Sequence, residues 1–238
     1  MKCLILAGGF ATRLYPLTLN KAKALLEYQG KPVISHLIDR VPPDIAIFVS
    51  TNRKFLADFL DWQRDLDRQV SICIEDAVTD AEKKGAIGAI DYWIKARNID
   101  EDLLVLAGDN YFDMDLSGMI ANYTGKYPLI AVYDVGEREK ACEIGKACQL
   151  GLVTLKKNKV VHFDEKPEVA TSSIIATGIY ILPAKIFPIL AQFCREIKRD
   201  NLGNFISYLL GQTPVYAHPV TGTWIDIGDQ IKKGSIKP

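Results

Sequence analysis

Hydrophobic residues in the first half of the chain follow two alternating patterns. Continuous apolar runs predict strands that are covered on both faces, and apolar residues spaced three or four apart predict amphipathic helices. The predicted strands are residues 2–7, 44–50, 71–76 and 103–110. The predicted helices are residues 31–41, 52–67 and 85–98, and the first of them ends at the paired prolines Pro42 and Pro43. Strands that alternate with helices indicate a mostly parallel sheet with helices on both sides.

From about residue 128 the pattern becomes richer in β-structure. Strand-like segments at 128–135, 150–167 and 173–183 follow one another, and the middle segment predicts a hairpin that turns at Lys157-Asn158-Lys159. Helices at about 185–197 and 204–210 precede a last strand-like segment, "TWIDIGD". Because no linker-like composition and no internal repeat separates the two halves, we expect a single domain.

Composition narrows the class of protein. The chain has 238 residues, of which 48% are hydrophobic and 24% charged, and 29 basic residues balance 29 acidic ones. That balance gives no electrostatic attraction to nucleic acid, and no apolar run reaches the roughly 18 residues of a membrane span. The start "MKCLILAGG" is typical of a first strand rather than a signal peptide. The five cysteines show no paired spacing, so we expect reduced, mostly buried thiols in a cytoplasmic protein without nucleic-acid or membrane partners.

The segment after the first strand, residues 6–32, reads "LAGGFATRLYPLTLNKAKALLEYQGKP". It contains neither of the familiar glycine-rich nucleotide motifs, G-x-G-x-x-G or G-x-x-x-x-G-K-[ST]. Gly8 and Gly9 would permit positive φ and a close approach of backbone N–H groups to an anion. Arg13 offers a planar fork and Lys23 a compact charge for phosphates. An ordinary strand-to-helix turn with two solvated cations explains the spacing equally well.

Two carboxylates stand out because apolar strands deliver them. Asp109 follows "LVLAG", and a carboxylate at the carboxyl end of a strand is a natural Mg²⁺ ligand, although a helix or turn cap is the alternative. In a parallel sheet, this position shares one rim with Gly8 and Gly9. Asp226 is flanked by isoleucines, so its burial implies a cation or a strong donor beside it. Asp229 is expected to be a surface or capping residue.

Two further features admit two interpretations each. Lys166 in "FDEKP" can bind a second phosphate or lie at a solvated hairpin end. Asp113-Met114-Asp115 is a D-x-D pattern, which binds metal in many glycosyltransferases that use nucleotide sugars. Asp115, however, precedes "LSGMIANY", where a helix N-cap explains it well.

These segments resemble the sugar-nucleotide pyrophosphorylases, or nucleotidyltransferases, and in particular glucose-1-phosphate thymidylyltransferases. Their pattern is close to L-A-G-G-x-x-T-R-L-x-P-x-T, then P-K-x-L-L and G-K-P, where this chain has "LAGGFATRLYPLT" and "AKALLEYQGKP". The later motifs of the family follow in order, so that the resemblance runs nearly end to end. They are "GAIGAI" (85–90), "GDN" (108–110), "DEKP" (164–167), "TGIY" (177–180) and "WIDIGD" (224–229).

The resemblance implies a fold and a reaction. The fold is a single α/β domain of three layers, α/β/α, around a Rossmann-like mixed sheet of the GT-A-like nucleotidyltransferase type. Residues 1–127 would be the nucleotide-binding half and residues 128–238 the sugar-phosphate-binding half. The reaction is the Mg²⁺-dependent condensation of an NTP with a sugar 1-phosphate to give an NDP-sugar and pyrophosphate. Thymidylyl and uridylyl transfer are expected ahead of guanylyl and cytidylyl transfer, and apolar helices near 185–210 make a homodimer a candidate assembly.

Carried over position by position, the resemblance also implies a set of site residues. Arg13 would hold the leaving pyrophosphate, Lys23 the phosphates at the reacting centre, and these two with Asp109 would form the catalytic set. Mg²⁺ would be held by Asp109 and Asp226. The nucleotide would be bound by Leu6, Ala7, Gly8, Gly9, Arg13 and Gly85. The sugar and its phosphate would be bound by Glu165, Lys166, Thr177 and Gly178.

Two departures from the family pattern concern activity and substrate. The proline usual before Lys23 is Ala22, and the Gly-Glu of many sugar pockets aligns only with Gly203-Asn204. Besides the transferase, two alternatives remain open at this point: a glycosyltransferase that uses Asp113 and Asp115, and a regulatory homologue that binds a nucleotide sugar without turnover.

Overall fold

A nine-stranded mixed sheet carries strands from both halves of the chain. The structure is a computed structural model that describes residues 1–137, 140, 148–196 and 201–234. Its strands are β1 (Lys2–Leu6), β2 (Glu27–Tyr28), β3 (Lys31–Pro32), β4 (Ile47–Asn52), β5 (Val70–Glu75), β6 (Leu103–Ala107), β7 (Asn110–Phe112), β8 (Leu129–Asp134), β9 (Gly151–Lys156), β10 (Lys159–Glu165), β11 (Ile174–Leu182), β12 (Tyr216–Pro219) and β13 (Trp224–Asp226). The helices are α1 (Val33–Arg40), α2 (Leu56–Arg64), α3 (Gly85–Ala96), α4 (Leu116–Asn122), α5 (Phe187–Glu196), α6 (Leu202–Leu210) and α7 (Ile227–Lys232).

The strand order in the large sheet is β5-β4-β1-β6-β11-β8-β12-β10-β9. The first four strands are parallel, whereas β11 runs antiparallel to both β6 and β8. The parallel part follows from the strand–helix alternation of the first half, since parallel neighbours need a crossover connection. The predicted hairpin is confirmed by the antiparallel pair β9–β10, whose turn places Lys157 at φ 57°.

Helices cover both faces of the sheet. Successive residues of a strand point to opposite faces, so they belong to two separate hydrophobic cores. Cys3 and Ile5 of β1 belong to the core formed with α1, α2 and α4. Leu4, between them, belongs to the core formed with α3, α5 and α6. The expected three-layer α/β/α arrangement around a mixed sheet is therefore confirmed. The division at residue 127 stays a prediction.

Some element boundaries differ from the prediction. The strand predicted from residue 44 begins at Ile47, because the Ile45 N–H bonds the Pro42 carbonyl (3.1 Å) in a turn after the prolines. The helix predicted from residue 52 begins at Leu56, because the Asn52 side chain accepts from the Phe55 N–H and opens a 3₁₀ turn first. The predicted helix end at position 197 lies outside the described residues.

The cysteine prediction is correct in part. Cys3, Cys73 and Cys194 are free and buried, but Cys148, also buried, is disulfide-bonded, and Cys142 lies outside the described residues. Burial raises the pKa of Cys3, so this thiol is un-ionised at neutral pH. Among the helices of the described residues, we find none whose length and apolarity would suffice to cross a bilayer.

Arg68 stabilises the connection between α1 and β4. Its guanidinium donates to four backbone carbonyls, those of Ile38 (3.1 Å), Val41, Pro42 (2.6 Å) and Ile45 (2.7 Å). These carbonyls lie at a helix end and a proline turn, where few backbone donors are available: the Ile38 and Pro42 carbonyls each accept one backbone N–H, from Val41 (3.2 Å) and Ile45 (3.1 Å). One side chain therefore donates hydrogen bonds to four carbonyls of this irregular segment.

We expect Arg68→Ala to lower the free energy of unfolding by about 2–3 kcal/mol, because several carbonyls lose a charged donor at once. Arg68→Lys, the matched control, should retain part of the stability, since an ammonium cannot reproduce the planar fork. Urea unfolding followed by circular dichroism measures both. Equal stability of the alanine variant and the wild type would show that water replaces the guanidinium without cost.

Candidate active site

A cavity of about 620 Å³ opens at the carboxyl ends of the parallel strands. Leu6, Glu75 and Ala107, the last residues of β1, β5 and β6, line it. The cavity brings together most of the residues singled out from the sequence, which lie up to 220 positions apart along the chain. They are Leu6, Ala7, Gly8, Gly9, Arg13, Lys23, Gly85, Asp109, Lys166 and Asp226.

The centre of the site is a lysine between two carboxylates. Lys23 Nζ lies 2.9 Å from Asp109 Oδ2 and 3.1 Å from Asp226 Oδ1, and its side chain is only 12% exposed. Burial by itself would lower the pKa of Lys23, but the charges of the two aspartates outweigh it and raise that pKa. Likewise the Lys23 ammonium overcomes the effect of burial on Asp109 and holds the pKa of that carboxyl below its ordinary value. The cation required beside Asp226 is therefore present.

The backbone conformation at Ala22 and at the end of β13 positions Lys23 and Asp226 close to each other. Lys23 begins a 3₁₀ turn after Ala22, whose φ of −64° is the value that a proline ring imposes. Asp226 ends β13 and also caps α7, since its Oδ1 accepts from the Asp229 N–H (3.1 Å). Gly228 leaves room for the lysine, because a Cβ at this residue would lie 2.6 Å from Lys23 Nζ. The sequence analysis missed Gly228, although it stands within the "WIDIGD" motif.

The glycine-rich segment differs from the prediction in its backbone. Gly8 and Gly9 do not adopt positive φ; Ala11 does, at 47°. Gly8 instead leaves room for Glu75, because a Cβ there would lie 3.3 Å from Glu75 Oε1, a tight contact. Thr18, which is fully buried, donates from its hydroxyl to the Ala11 carbonyl (2.8 Å) and holds the segment in this shape.

Two cations lie nearer the rim of the cavity. Arg13 is exposed, and its Nη1 donates to Gln149 Oε1 (3.1 Å). Lys166 has a φ of 50°, a left-handed conformation that is uncommon for a residue with a side chain. Residues in such conformations cluster at active sites and ligand sites, although they also occur in turns such as that of Lys157. The side chain lines the cavity and lies 3.6 Å from Glu165 Oε1.

Three residues predicted for the sugar-phosphate site do not line the cavity: Glu165, Thr177 and Gly178. The Thr177 side chain is buried and donates to the Ala131 carbonyl (2.9 Å). Gly178 adopts a φ of 81° beside Ala107, in an irregular part of β11. These contacts are structural, and a role for the three residues in substrate binding stays a prediction.

The nearby end of α6 contributes two residues that the sequence analysis missed, Asn201 and Leu202. Asn201 caps the helix by accepting from the Asn204 N–H (2.9 Å). Asn204 itself is exposed and does not line the cavity. A cap residue before an apolar helix is a recognisable sequence signal, but it does not reveal that the cap faces a ligand site.

Glu75 is a buried carboxylate in the cavity wall that the sequence analysis also missed. Its Oε1 accepts from Ser50 Oγ (2.8 Å), and Ser50 Oγ accepts from Trp93 Nε1 (2.9 Å). Burial raises the pKa of Glu75, and the Ser50 hydroxyl and the Lys84 N–H oppose that rise by stabilising the ionised form. The rule that singled out Asp109, a carboxylate at the end of an apolar strand, would have found it.

Removal of the Ser50 hydroxyl should destabilise the protein by about 2–4 kcal/mol, because Trp93 and Glu75 would both lose a buried partner. Ser35→Ala is the matched control: Ser35 accepts from Trp62 Nε1 at the same 2.9 Å but contacts no carboxylate in the hydrogen bonds described. We expect Ser50→Ala to cost roughly 1 kcal/mol more than Ser35→Ala in urea unfolding. Equal losses would show that Glu75 does not depend on the Ser50 hydroxyl.

Comparison with known proteins agrees with this architecture. A protein of Sulfolobus acidocaldarius provisionally named a mannose-1-phosphate guanyltransferase is 26% identical over 96% of this chain and 60% of its own length. The UTP–glucose-1-phosphate uridylyltransferase AglF of Haloferax volcanii is 27% identical over 86% of this chain and 79% of its own length. The chain spans only 51–60% of the length of the first curated relatives.

A solved structure has the same fold. It is that of a Bacillus anthracis protein provisionally named a glucose-1-phosphate thymidylyltransferase, with a TM-score of 0.80 at 22% identity over 99% of this chain and 93% of that protein. The family model described as "Nucleotidyl transferase" matches residues 2–231. With this match over nearly the whole chain, the protein belongs to the nucleotidyl transferase family.

Proposed function

We propose that this chain is a sugar-1-phosphate nucleotidyltransferase, which condenses an NTP with a sugar 1-phosphate to give an NDP-sugar and pyrophosphate. The observation that carries the proposal is the Lys23–Asp109–Asp226 cluster in a cavity that is also lined by Gly8, Gly9 and Arg13. The names of the relatives, which include guanyl- and uridylyltransferases of sugar 1-phosphates, support the same reaction class.

The cationic residues suit a transfer between two anions. The oxygen of the sugar phosphate would attack the α-phosphate of the NTP while pyrophosphate leaves on the far side, so positioning and charge neutralisation supply most of the catalysis. Lys23 would bind phosphate oxygens at the reacting centre, Arg13 the leaving pyrophosphate, and Lys166 the phosphate of the sugar. The attacking phosphate is already ionised and needs no general base. His36, His162 and His218 do not line the cavity.

Asp109 and Asp226 fit a magnesium ion. Two carboxylates that converge on one ammonium are hard oxygen donors of the kind that Mg²⁺ prefers. The described residues contain no group of three Asp, Glu, His or Cys side chains suited to a metal, so the substrate phosphates would complete the coordination. When bound, the ion would neutralise charge on the reacting phosphates.

The glycosyltransferase alternative is less favoured, because Asp113 and Asp115 have structural contacts outside the cavity. Asp113 Oδ1 accepts from the Thr223 N–H (2.8 Å), and Asp115 caps α4 by accepting from the Ser117 N–H (2.9 Å). Neither residue lines the cavity. The alternative of a regulatory homologue without turnover rested in part on Ala22, and the backbone there keeps the conformation of the missing proline.

Thymidine or uridine triphosphate is the nucleotide that we propose, ahead of GTP. AglF, a uridylyltransferase by name, supports the pyrimidine. The guanyltransferase name among the relatives makes GTP the main competitor, so a substrate panel must contain all three.

The test is pyrophosphate release with Mg²⁺ across a panel of NTPs, each paired with several sugar 1-phosphates. We expect one NTP and one sugar phosphate to be required together. Asp109→Asn and Lys23→Met should each lower kcat/KM by about two to three orders of magnitude, because each removes a preorganised charge at the reacting centre.

Asp113→Asn is the control variant, since an asparagine keeps the oxygen that binds Thr223 and lies outside the cavity. It should retain most of the wild-type activity. Loss of activity in Asp113→Asn with retention in Lys23→Met would favour the glycosyltransferase. Nucleotide-sugar binding without pyrophosphate release in any pairing would favour the regulatory homologue.

A further inference from the structure

The Lys23 ammonium lies between the two carboxylates proposed to hold the metal. It is within hydrogen-bond distance of both, 2.9 Å from Asp109 Oδ2 and 3.1 Å from Asp226 Oδ1. Asp226 is 26% and Asp109 44% exposed, and both line the cavity.

The space around this ammonium is closed on one side by backbone. A Cβ at Gly228 would lie 2.6 Å from Lys23 Nζ, 2.8 Å from its Cε and 3.2 Å from Asp226 Oδ1. A side chain at position 228 would therefore require the lysine ammonium to shift. A dication held by the same two oxygens would lie next to the ammonium, and the like charges would repel each other in a partly buried site.

We propose that the Lys23 ammonium and a divalent cation are alternative partners of Asp109 and Asp226. In the free protein Lys23 offsets one of the two negative charges and keeps the affinity for metal low. When a metal binds together with a phosphate ligand, the ammonium leaves the carboxylates and pairs with phosphate oxygens instead. The identity of that ligand rests on the proposed function, whereas the competition between lysine and metal rests on the geometry alone.

The number of oxygen ligands available for a metal also supports this competition. Mg²⁺ prefers six oxygen ligands, and two carboxylates leave most of these positions to water or substrate. No third acidic, histidine or cysteine side chain joins the pair within the part of the chain that the structure describes. An incoming phosphate would thus supply oxygens for the metal and, at the same time, a new anionic partner for Lys23. Metal and nucleotide should bind cooperatively for this reason.

The experiment measures Mn²⁺ binding to the protein without any nucleotide, by electron paramagnetic resonance of the free ion. We expect Lys23→Met to bind Mn²⁺ at least about tenfold more tightly than wild type, because the two carboxylates then lack a counter-charge. Gly228→Ala should also tighten binding, since it retains the lysine but displaces the ammonium from Asp226. The double variant Lys23→Met/Asp109→Asn should lose the gain, which would locate the ion at this pair.

Thermal unfolding provides a second readout. Unpaired carboxylates should lower the Tm of Lys23→Met, and Mn²⁺ should raise that Tm by more than it raises the Tm of the wild type. Should Lys23→Met fail to fold, Gly228→Ala carries the same prediction with the lysine in place.

Mn²⁺ affinity in Lys23→Met and Gly228→Ala that equals or falls below that of wild type would overturn the inference. Neither Mn²⁺ binding nor thermal unfolding involves turnover, so the lysine–metal competition and the transferase activity are tested independently. Absence of pyrophosphate release with a tenfold gain in Mn²⁺ affinity would reject the transferase and keep the lysine–metal competition. Release of pyrophosphate without any gain in Mn²⁺ affinity would keep the transferase and reject the lysine–metal competition.

Discussion

The ion pairs of Lys23 with Asp109 and Asp226 are the constraint on which the site depends. The partners lie 86 and 203 residues from the lysine along the chain, so the contact exists only when three separate parts of the fold are in place. Each carboxylate in the pair offsets the desolvation of the lysine, and the lysine in turn offsets their mutual repulsion. Loss of the lysine leaves two carboxylates side by side without a counter-charge, whereas loss of one aspartate leaves a single ion pair.

Three local features bring these partners together. The antiparallel pair β7–β13 holds Asp226 opposite Asn110, the residue after Asp109. The extended backbone of Ala22 starts the turn that directs Lys23 inward. The missing side chain of Gly228 then leaves space for the ammonium. Charge attraction alone would not place the three groups. The backbone features just described must first bring the side chains within reach of one another.

The sequence predicted the layers of the fold well and the backbone of the loops less well. Continuous apolar runs mark strands that are covered on both sides, and the sheet confirms them to within a few residues. In the glycine-rich segment, Gly8 and Gly9 permit a left-handed conformation, but Ala11 is the residue that adopts it. Propensity gives only what a residue tolerates, whereas contacts such as that of Thr18 with Ala11 decide which residue adopts the turn.

The sequence by itself determined the fold class, the family and the position of Asp109 at the end of a buried strand, because these follow from local periodicity and from long motifs. Only the tertiary structure decided that Lys23 lies between Asp109 and Asp226, that Gly228 makes room for it, and that the Thr177 side chain faces a neighbouring strand. A side chain's partner depends on which distant segments are adjacent and how closely they approach. Pairings over 86 and 203 residues are set by strand register and steric fit, which no local pattern encodes.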